Sequence, residues 1–258
     1  MGFLRYMKSE CYRTAHRKVL YGFVGGCFLT LLALMLLGFF ANRKEEPVMR
    51  LHLEETFLLL RTVLPTMGMY AVLFTAHVAF ADEHRQQTLK NTVSYGVPRG
   101  TVFFGKLLTA LWYSVLVLAA VLAAILGLGV IFLGVGDLTE FLQGLGMLLW
   151  CLLGGLPLWI AALSLAVLLF SVIRTSVGAS FLYLGLMTLT QVVLSVLGAL
   201  GYSFFDQLRT RLISVQLGNA STIVGLGPQL IWAWGSGLVY TLVFCLAGWI
   251  LFRRMEIK

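Results

Sequence analysis

Apolar runs of bilayer length recur along this chain, and they constrain its fold more than any motif does. The runs reach or exceed the roughly 20 residues that a helix needs to cross a bilayer. Hydrophobic residues make up 59% of the 258 residues, and charged residues make up only 12%. This composition is far from that of a soluble domain. The chain is therefore predicted to be an all-α polytopic membrane protein whose core is the helix bundle itself.

Six crossings account for the apolar runs. They are predicted at residues 20–41, 62–81, 107–135, 141–173, 175–205 and 229–252. The uncharged stretch 212–252 is too long for one helix, and its first half is polar and broken by Gly225, Gly227 and Pro228. Such a segment is unsuited to facing lipid. Residues 202–228 are therefore predicted to form short outer, re-entrant helices that enter the membrane only part way.

Charge distribution predicts the orientation of the bundle. Thirteen of the nineteen Lys and Arg residues lie on the side that holds both termini, the loop between crossings two and three, and Arg174. By the positive-inside rule this side is cytoplasmic, in the cell membrane. The net charge of +8 is thus explained by topology, and no nucleic acid partner is predicted.

The first eighteen residues are predicted to form an amphipathic helix on the membrane surface. Apolar residues recur every four positions from Phe3 to Val19, and five basic residues lie between them. This pattern is typical of a basic helix lying on anionic lipid. A signal peptide is the alternative, but residues 20–41 exceed the usual length of a signal core, so we expect the segment to be retained in the mature protein.

The polar segment 82–106 leaves the membrane and returns, and it is longer than a simple turn needs. Its interior is predicted to form one short helix. The helix boundaries are indicated by Asp82, Glu83, Gly96 and Pro98. Leu89 and Val93 would share one helix face with Gln86. We expect this helix to contact something outside the membrane.

Residues 100–106 match the pattern G-x-x-x-x-G-K, but a phosphate-binding loop is not predicted. Leu107 stands where the loop needs Ser or Thr for magnesium, and the segment enters the bilayer instead of following a buried strand. Lys106 and Arg99 are expected to anchor the inner end of the third crossing by snorkelling to the interface.

No catalytic or metal-binding residues are predicted. The chain lacks H-E-x-x-H and G-x-S-x-G motifs, and its four cysteines are scattered. No acid or arginine for ion coupling lies well inside a crossing. His77 is expected to be hydrogen-bonded within the bundle, with a substrate contact as the alternative. Buried amides at Gln143, Gln191 and Gln229 are expected to tie helices together.

The layout resembles the type-2 ATP-binding-cassette permeases of bacterial exporters. That family often shows E-x-x-x-G-T-L-K, then Pro or Ser, Arg and G-K in the central loop. The matching residues are Glu83, Thr88, Leu89, Lys90, Asn91, Ser94, Pro98, Arg99, Gly105 and Lys106. Gln87 stands where the glycine is usual.

The resemblance implies that the central helix is a coupling helix seated on a separate cytoplasmic ATPase. The residues implied in coupling are Glu83, Gln86, Leu89, Lys90, Val93, Tyr95, Pro98 and Arg99. ATP and Mg would be bound by that partner, with no cofactor on this chain. A second permease chain, identical or related, would complete the pathway. The N-terminal helix would be the family's connecting helix, and the cargo a lipophilic drug, a peptide antibiotic or a lipid-like molecule.

Other classes of function remain open at the level of sequence. A secondary carrier or a membrane-embedded enzyme would use the central loop only to set topology. An immunity or assembly factor would bind a peptide at the outer face without moving it. An associated ATPase distinguishes the first two from a permease, and ATP-driven efflux distinguishes the third.

Overall fold

The computed structural model describes residues 3–43, 52–86, 97–173 and 175–254, with only the backbone described at 81–86. These residues are almost entirely helical and include no strand, which confirms the predicted all-α fold. The helices are α1 (Phe3–Ala15), α2 (Lys18–Asn42), α3 (Leu53–Gln86), α4 (Arg99–Phe132), α5 (Leu138–Val172), α6 (Ser176–Leu184), α7 (Thr190–Ala199), α8 (Ser203–Arg211), α9 (Ile213–Asn219) and α10 (Pro228–Arg254).

Six segments in the described chain are long and apolar enough to cross a membrane, as predicted. They are α2, α3 up to Phe80, α4, α5, the α6–α7 segment, and α10. We call the end of the bundle where α4 begins and α10 finishes the junction end. The opposite end, where α4 finishes and α10 begins, is the far end.

The helices extend beyond their apolar runs around the central loop. The second crossing helix begins at Leu53, not Thr62, and Glu54 and Glu55 lie in its first turn, where acids favour the helix dipole. It continues to Gln86, so the prediction that a separate helix starts at Asp82 is wrong. The third crossing helix begins at Arg99, so the end of the predicted 82–106 loop is helical.

The fifth crossing is interrupted and shorter than predicted. A π-helical turn, Gly185–Leu189, joins α6 to α7, and α7 ends at Ala199 instead of residue 205. Gly201 then adopts a φ of 95°, which favours glycine and redirects the chain. In the segment predicted as outer helices the chain forms α8, α9 and a 3₁₀ turn, Ala220–Thr222. Their entry into the membrane remains a prediction.

Helix α5 lies at the centre of the bundle. In its apolar core 67% of the residues are buried within the protein, against 28% or less in the other five crossings. Its main neighbours are α3 and α10. The remaining crossings therefore leave more of their apolar surface available to lipid than α5 does.

Proline interrupts the backbone hydrogen bonds of α3, and neighbouring side chains compensate. Pro65 has no N–H to donate to the carbonyl of Arg61, four residues earlier. Cys151 Sγ on α5 donates to that carbonyl at 3.4 Å. The indole of Trp159, also on α5, donates to the Pro65 carbonyl at 2.9 Å. Helix α5 thus supplies hydrogen-bond donors to α3 on either side of this break.

The same compensation occurs at Pro157 in α5. Pro157 leaves the carbonyl of Leu153 without its helical donor, and Trp234 Nε1 on α10 donates to it at 3.2 Å. Gly237 lets α10 approach closely, since a Cβ there would lie 2.7 Å from the Pro157 carbonyl carbon. Backbone groups freed at membrane depth need such partners, so these contacts fix α10 against α5.

Candidate functional site

Lys106 near the start of α4 is fully buried at the junction end of the bundle. Its side chain is 0% exposed. Nζ donates to the Ala79 carbonyl on α3 at 2.9 Å and to Glu10 Oε2 on α1 at 3.4 Å. It also lies 4.9 Å from the centre of the Phe80 ring. The expectation that Lys106 snorkels to the interface is therefore wrong, because its charge is neutralised inside the protein by a carboxylate.

We call Glu10, Ala79, Phe80 and Lys106 the junction, because they join three helices. Glu10 is itself buried and also pairs with Arg13 of its own helix, at 2.7 Å from Arg13 Nη2. A buried ion pair is tolerated only when both partners are satisfied. Here the ammonium has a carboxylate, a carbonyl and a ring face around it. The geometry thus fixes α1 against the ends of α3 and α4 that border the central loop.

Small residues on α4 allow α1 to pack closely beside Lys106. A Cβ on Gly105 would lie 2.6 Å from the buried ring of Tyr6. Further along α4, the Tyr113 hydroxyl donates to the Cys11 carbonyl at 2.7 Å. The Sγ atom of Cys11 lies 4.0 Å from Thr109 Oγ1. Helix α1 is therefore seated on α4 along most of its length.

The buried face of α1 differs from the predicted apolar face. Its buried residues are Tyr6, Glu10 and Thr14, spaced four apart. Phe3 is exposed, and Met7 is only half-buried. The apolar repeat missed this face because its middle residue is an acid. The available signal was the isolation of Glu10, the single acid among five basic residues of the N-terminal segment, at helical spacing from Tyr6.

Helix α10 is attached to the same end of α4. Arg99 Nη1 donates to the Arg253 carbonyl at 2.6 Å. Trp249 lies against Gly100, where a Cβ would be 3.3 Å from the indole nitrogen. The guanidinium of Arg253 lies 5.8 Å from the centre of the Trp249 ring. Arg99 thus anchors the start of α4 to a protein carbonyl.

The residues implied in coupling fall mostly outside the described side chains. Leu89, Lys90, Val93 and Tyr95 lie outside the described residues. Glu83 and Gln86 belong to the last turns of α3, and their side chains are not described. Pro98 directly precedes α4 as its N-cap, and Arg99 is the first helical residue. Their role in coupling therefore stays a prediction, and the junction lies beside it.

The G-x-x-x-x-G-K segment has a helical backbone. Residues 100–106 continue α4 without a loop, and the Lys106 ammonium bonds to protein oxygens. A phosphate-binding loop instead presents successive backbone N–H groups to the ligand. In α4 the backbone N–H groups from Val102 onward lie within the helix, where they donate to carbonyls of the preceding turn. The local geometry is that of a packed helix start.

Other polar residues in the crossings are less buried than expected. His77 is half-buried and meets Phe170 edge-on, with ring centroids 5.7 Å apart. Gln143 and Gln229 are exposed and Gln191 is half-buried, so the prediction of buried amides is wrong. Within the described residues no group of three or more His, Cys, Asp and Glu side chains could hold a metal ion.

The helix bundle itself shows which class of protein this is. Six apolar crossings, among them the buried α5, with few charges at membrane depth, make this a multi-pass integral membrane protein. A family model described as ABC-2 family transporter protein matches residues 6–184. The chain therefore belongs to the ABC-2 transporter family and is a transport permease, as the resemblance indicated. No curated protein matches the chain.

Proposed function

We propose that the protein is the membrane subunit of an ATP-driven exporter. A separate ATP-binding-cassette ATPase docks on the segment between α3 and α4, on the cytoplasmic side together with both termini. ATP and Mg are bound by that partner. Two permease chains, identical or related, form the pathway, and the cargo is a lipophilic drug, a peptide antibiotic or a lipid-like molecule.

The junction is the observation that supports this proposal best. Lys106 joins α4 to α1 through Glu10 and to α3 through the Ala79 carbonyl. A force applied between α3 and α4 therefore acts on three connected helices at once. Close-packed helices shift as units and do not deform locally. An ATPase that displaces this segment would thus move α3 and α4 against α5.

Copurification tests the docking site. The tagged chain is purified from its native cell, and an associated ATP-binding-cassette ATPase is identified by mass spectrometry. Leu89→Asp is expected to abolish this association while leaving membrane insertion unchanged, because it places a charge on the predicted docking face. The matched control is Leu226→Asp at the far end, where Leu226 is 87% exposed; it should retain the ATPase.

Transport assays test the energy source. Inside-out vesicles containing the permease and its ATPase should accumulate cargo only with hydrolysable ATP. Transport by the purified permease alone would contradict the proposal and favour a secondary carrier. Association with ATPase but no movement of a bound peptide would favour the immunity alternative.

In the copurification experiment, a normal yield of ATPase with the Leu89→Asp variant would mean that the ATPase docks elsewhere on the chain.

A further inference from the structure

The far end of the bundle contains a polar cavity that the family match does not include. The cavity has a volume of about 320 Å³ and lies between α8, α9 and the start of α10. Its principal polar lining residues are Arg211, Gln216, Asn219, Gln229, Trp232 and Ser236. This volume lies within the range of small-ligand cavities. All of these residues follow position 184, where the family match ends.

Hydrogen bonds between its walls preform the cavity. Gln216 Nε2 donates to the Arg211 carbonyl at 2.7 Å, and Gln216 Oε1 accepts from Ser236 Oγ at 2.5 Å. The Tyr240 hydroxyl donates to the same Arg211 carbonyl at 2.8 Å. The amide of Gln216 is thus occupied on both sides. It connects α9 to the end of α8 and to α10, so the cavity does not depend on a ligand for its shape.

The remaining polar groups of the cavity are mostly hydrogen-bond donors. The Arg211 guanidinium lies 5.3 Å from the centre of the Trp232 ring, and among the described residues it has no hydrogen bond or ion pair. The side-chain amides of Asn219 and Gln229 likewise have no partner within the described chain. No carboxylate of a described residue lines the cavity. One cation and two amides with free N–H groups select an anionic acceptor.

The surroundings indicate the form of that anion. Val224 and Leu226 are exposed apolar side chains that line an adjoining cavity, and this cavity shares Thr222, Ile223 and Gln229 with the first. Acyl chains could lie along Val224 and Leu226 while a polar headgroup occupies the first cavity. A single guanidinium balances a single negative charge and can contact two phosphate oxygens at once. We propose that the cavity binds a phosphate ester, and that its source is the headgroup of an anionic phospholipid such as phosphatidylglycerol.

Lipid titration of the full-length protein in detergent tests this proposal. Native mass spectrometry measures the Kd of the first bound phosphatidylglycerol, with phosphatidylcholine as the zwitterionic comparison. Phosphatidylglycerol should bind more tightly. Arg211→Gln should weaken its binding about tenfold, because a charge-assisted contact is lost. Gln229→Ala, which removes an exposed amide donor, should weaken it less.

The matched control is Arg209→Gln, two residues away on the same helix. It removes the same charge, but Arg209 pairs with Asp206 and does not line the cavity. This variant should bind phosphatidylglycerol as the wild type does. Equal losses in Arg209→Gln and Arg211→Gln would overturn the proposal, since general surface charge would then explain the binding. Equal affinity for both lipids would also overturn it.

Two soluble competitors distinguish the sources of the anion. Glycerol 3-phosphate that binds as tightly as the lipid, with the same loss in Arg211→Gln, supports the phosphate site with a free ester as its source. Weak binding of this ester beside tight lipid binding supports the headgroup. A peptide with a free C-terminal carboxylate that displaces the lipid at lower concentration than glycerol 3-phosphate would overturn a phosphate site.

Discussion

The two ends of the bundle use charge in opposite ways. At the junction end, Lys106 is fully buried and its charge is matched by Glu10 inside the protein. At the far end, Asp206 is 57% exposed in its pair with Arg209, and Arg211 faces an open cavity. Buried charges must be matched internally, whereas exposed charges are solvated. The charges described at the junction end therefore hold helices together, whereas those at the far end are open to solvent.

Neutralising one acid at each end should give the largest difference in stability between the two ends. Glu10→Gln leaves the Lys106 ammonium buried without a carboxylate, and should cost about 3 kcal/mol of unfolding free energy. Asp206→Asn breaks a solvated pair and should have no measurable effect. Thermal unfolding in detergent, followed by size-exclusion chromatography, measures both. The double variant Glu10→Gln, Lys106→Met should recover most of the loss, because neither charge then remains.

Equal destabilisation by Glu10→Gln and Asp206→Asn would break the comparison between the ends. Failure of the double variant to recover stability would show that Glu10 matters through packing or through Arg13 instead of Lys106. The first outcome would mean that burial does not distinguish the two acids. The second would mean that Glu10 stabilises the protein through its shape or its pair with Arg13.

Adding one methyl group at each end gives the next largest effect. Gly105→Ala places a Cβ against the buried Tyr6 ring at 2.6 Å, so α1 must shift at a cost of about 2 kcal/mol. Gly218→Ala in α9 meets no atom within 4 Å and should be neutral or slightly stabilising, as alanine favours a helix. Unfolding temperatures in the same detergent compare them. A stable Gly105→Ala variant would mean that α1 is loosely seated.

Removing a donor between the two ends should have a moderate effect. Trp234→Phe leaves the Leu153 carbonyl, already freed by Pro157, without a partner at a cost of about 1 kcal/mol. Trp232→Phe, two residues earlier, removes no side-chain hydrogen bond to the described protein and keeps an aromatic ring beside Arg211, so it is the control. Hydrogen exchange of the α5 backbone around Pro157 should increase only in Trp234→Phe. Equal exchange in both variants would show that lipid or water satisfies the carbonyl.

A pH effect at the far end should be the smallest. Asp137 caps α5, and hydrogen bonds from the Thr139 backbone N–H and hydroxyl hold the pKa of its carboxyl below the usual value. Its contribution is therefore present above the pKa of an unfolded aspartate and is lost as the pH falls through the lowered value. The difference in Tm between the wild type and Asp137→Ala should narrow below about pH 4. A constant difference would show that the cap acts without its charge.

Composition was sufficient to predict the number of crossings but not their ends. The length of an apolar run reflects the thickness of lipid that the helix crosses. The helix itself ends where its backbone hydrogen bonds end. No glycine or proline lies between Gly68 and Gln86, so α3 continues past its apolar run into Asp82 and Glu83. Arg99 and its neighbours likewise extend α4 before its apolar run begins.

The sequence did not predict the junction, for a different reason. Hydropathy assigns Lys106 and Glu10 to water, because it scores each side chain alone. Their burial depends on a pairing across 96 residues of chain, together with the Ala79 carbonyl of a third helix. The length and polarity of segment 82–106 and the family resemblance both indicated the central loop. Neither indicated the residues that fasten it to α1.

The contact between Pro157 and Trp234 constrains how these two positions can change during evolution. Any other residue at 157 would restore a helical N–H to the Leu153 carbonyl, and the indole at 234 would become dispensable. The proline and the tryptophan should therefore be inherited together among descendants of this chain. Loss of the proline should come first, because an indole without an acceptor is tolerated more easily than a carbonyl without a donor.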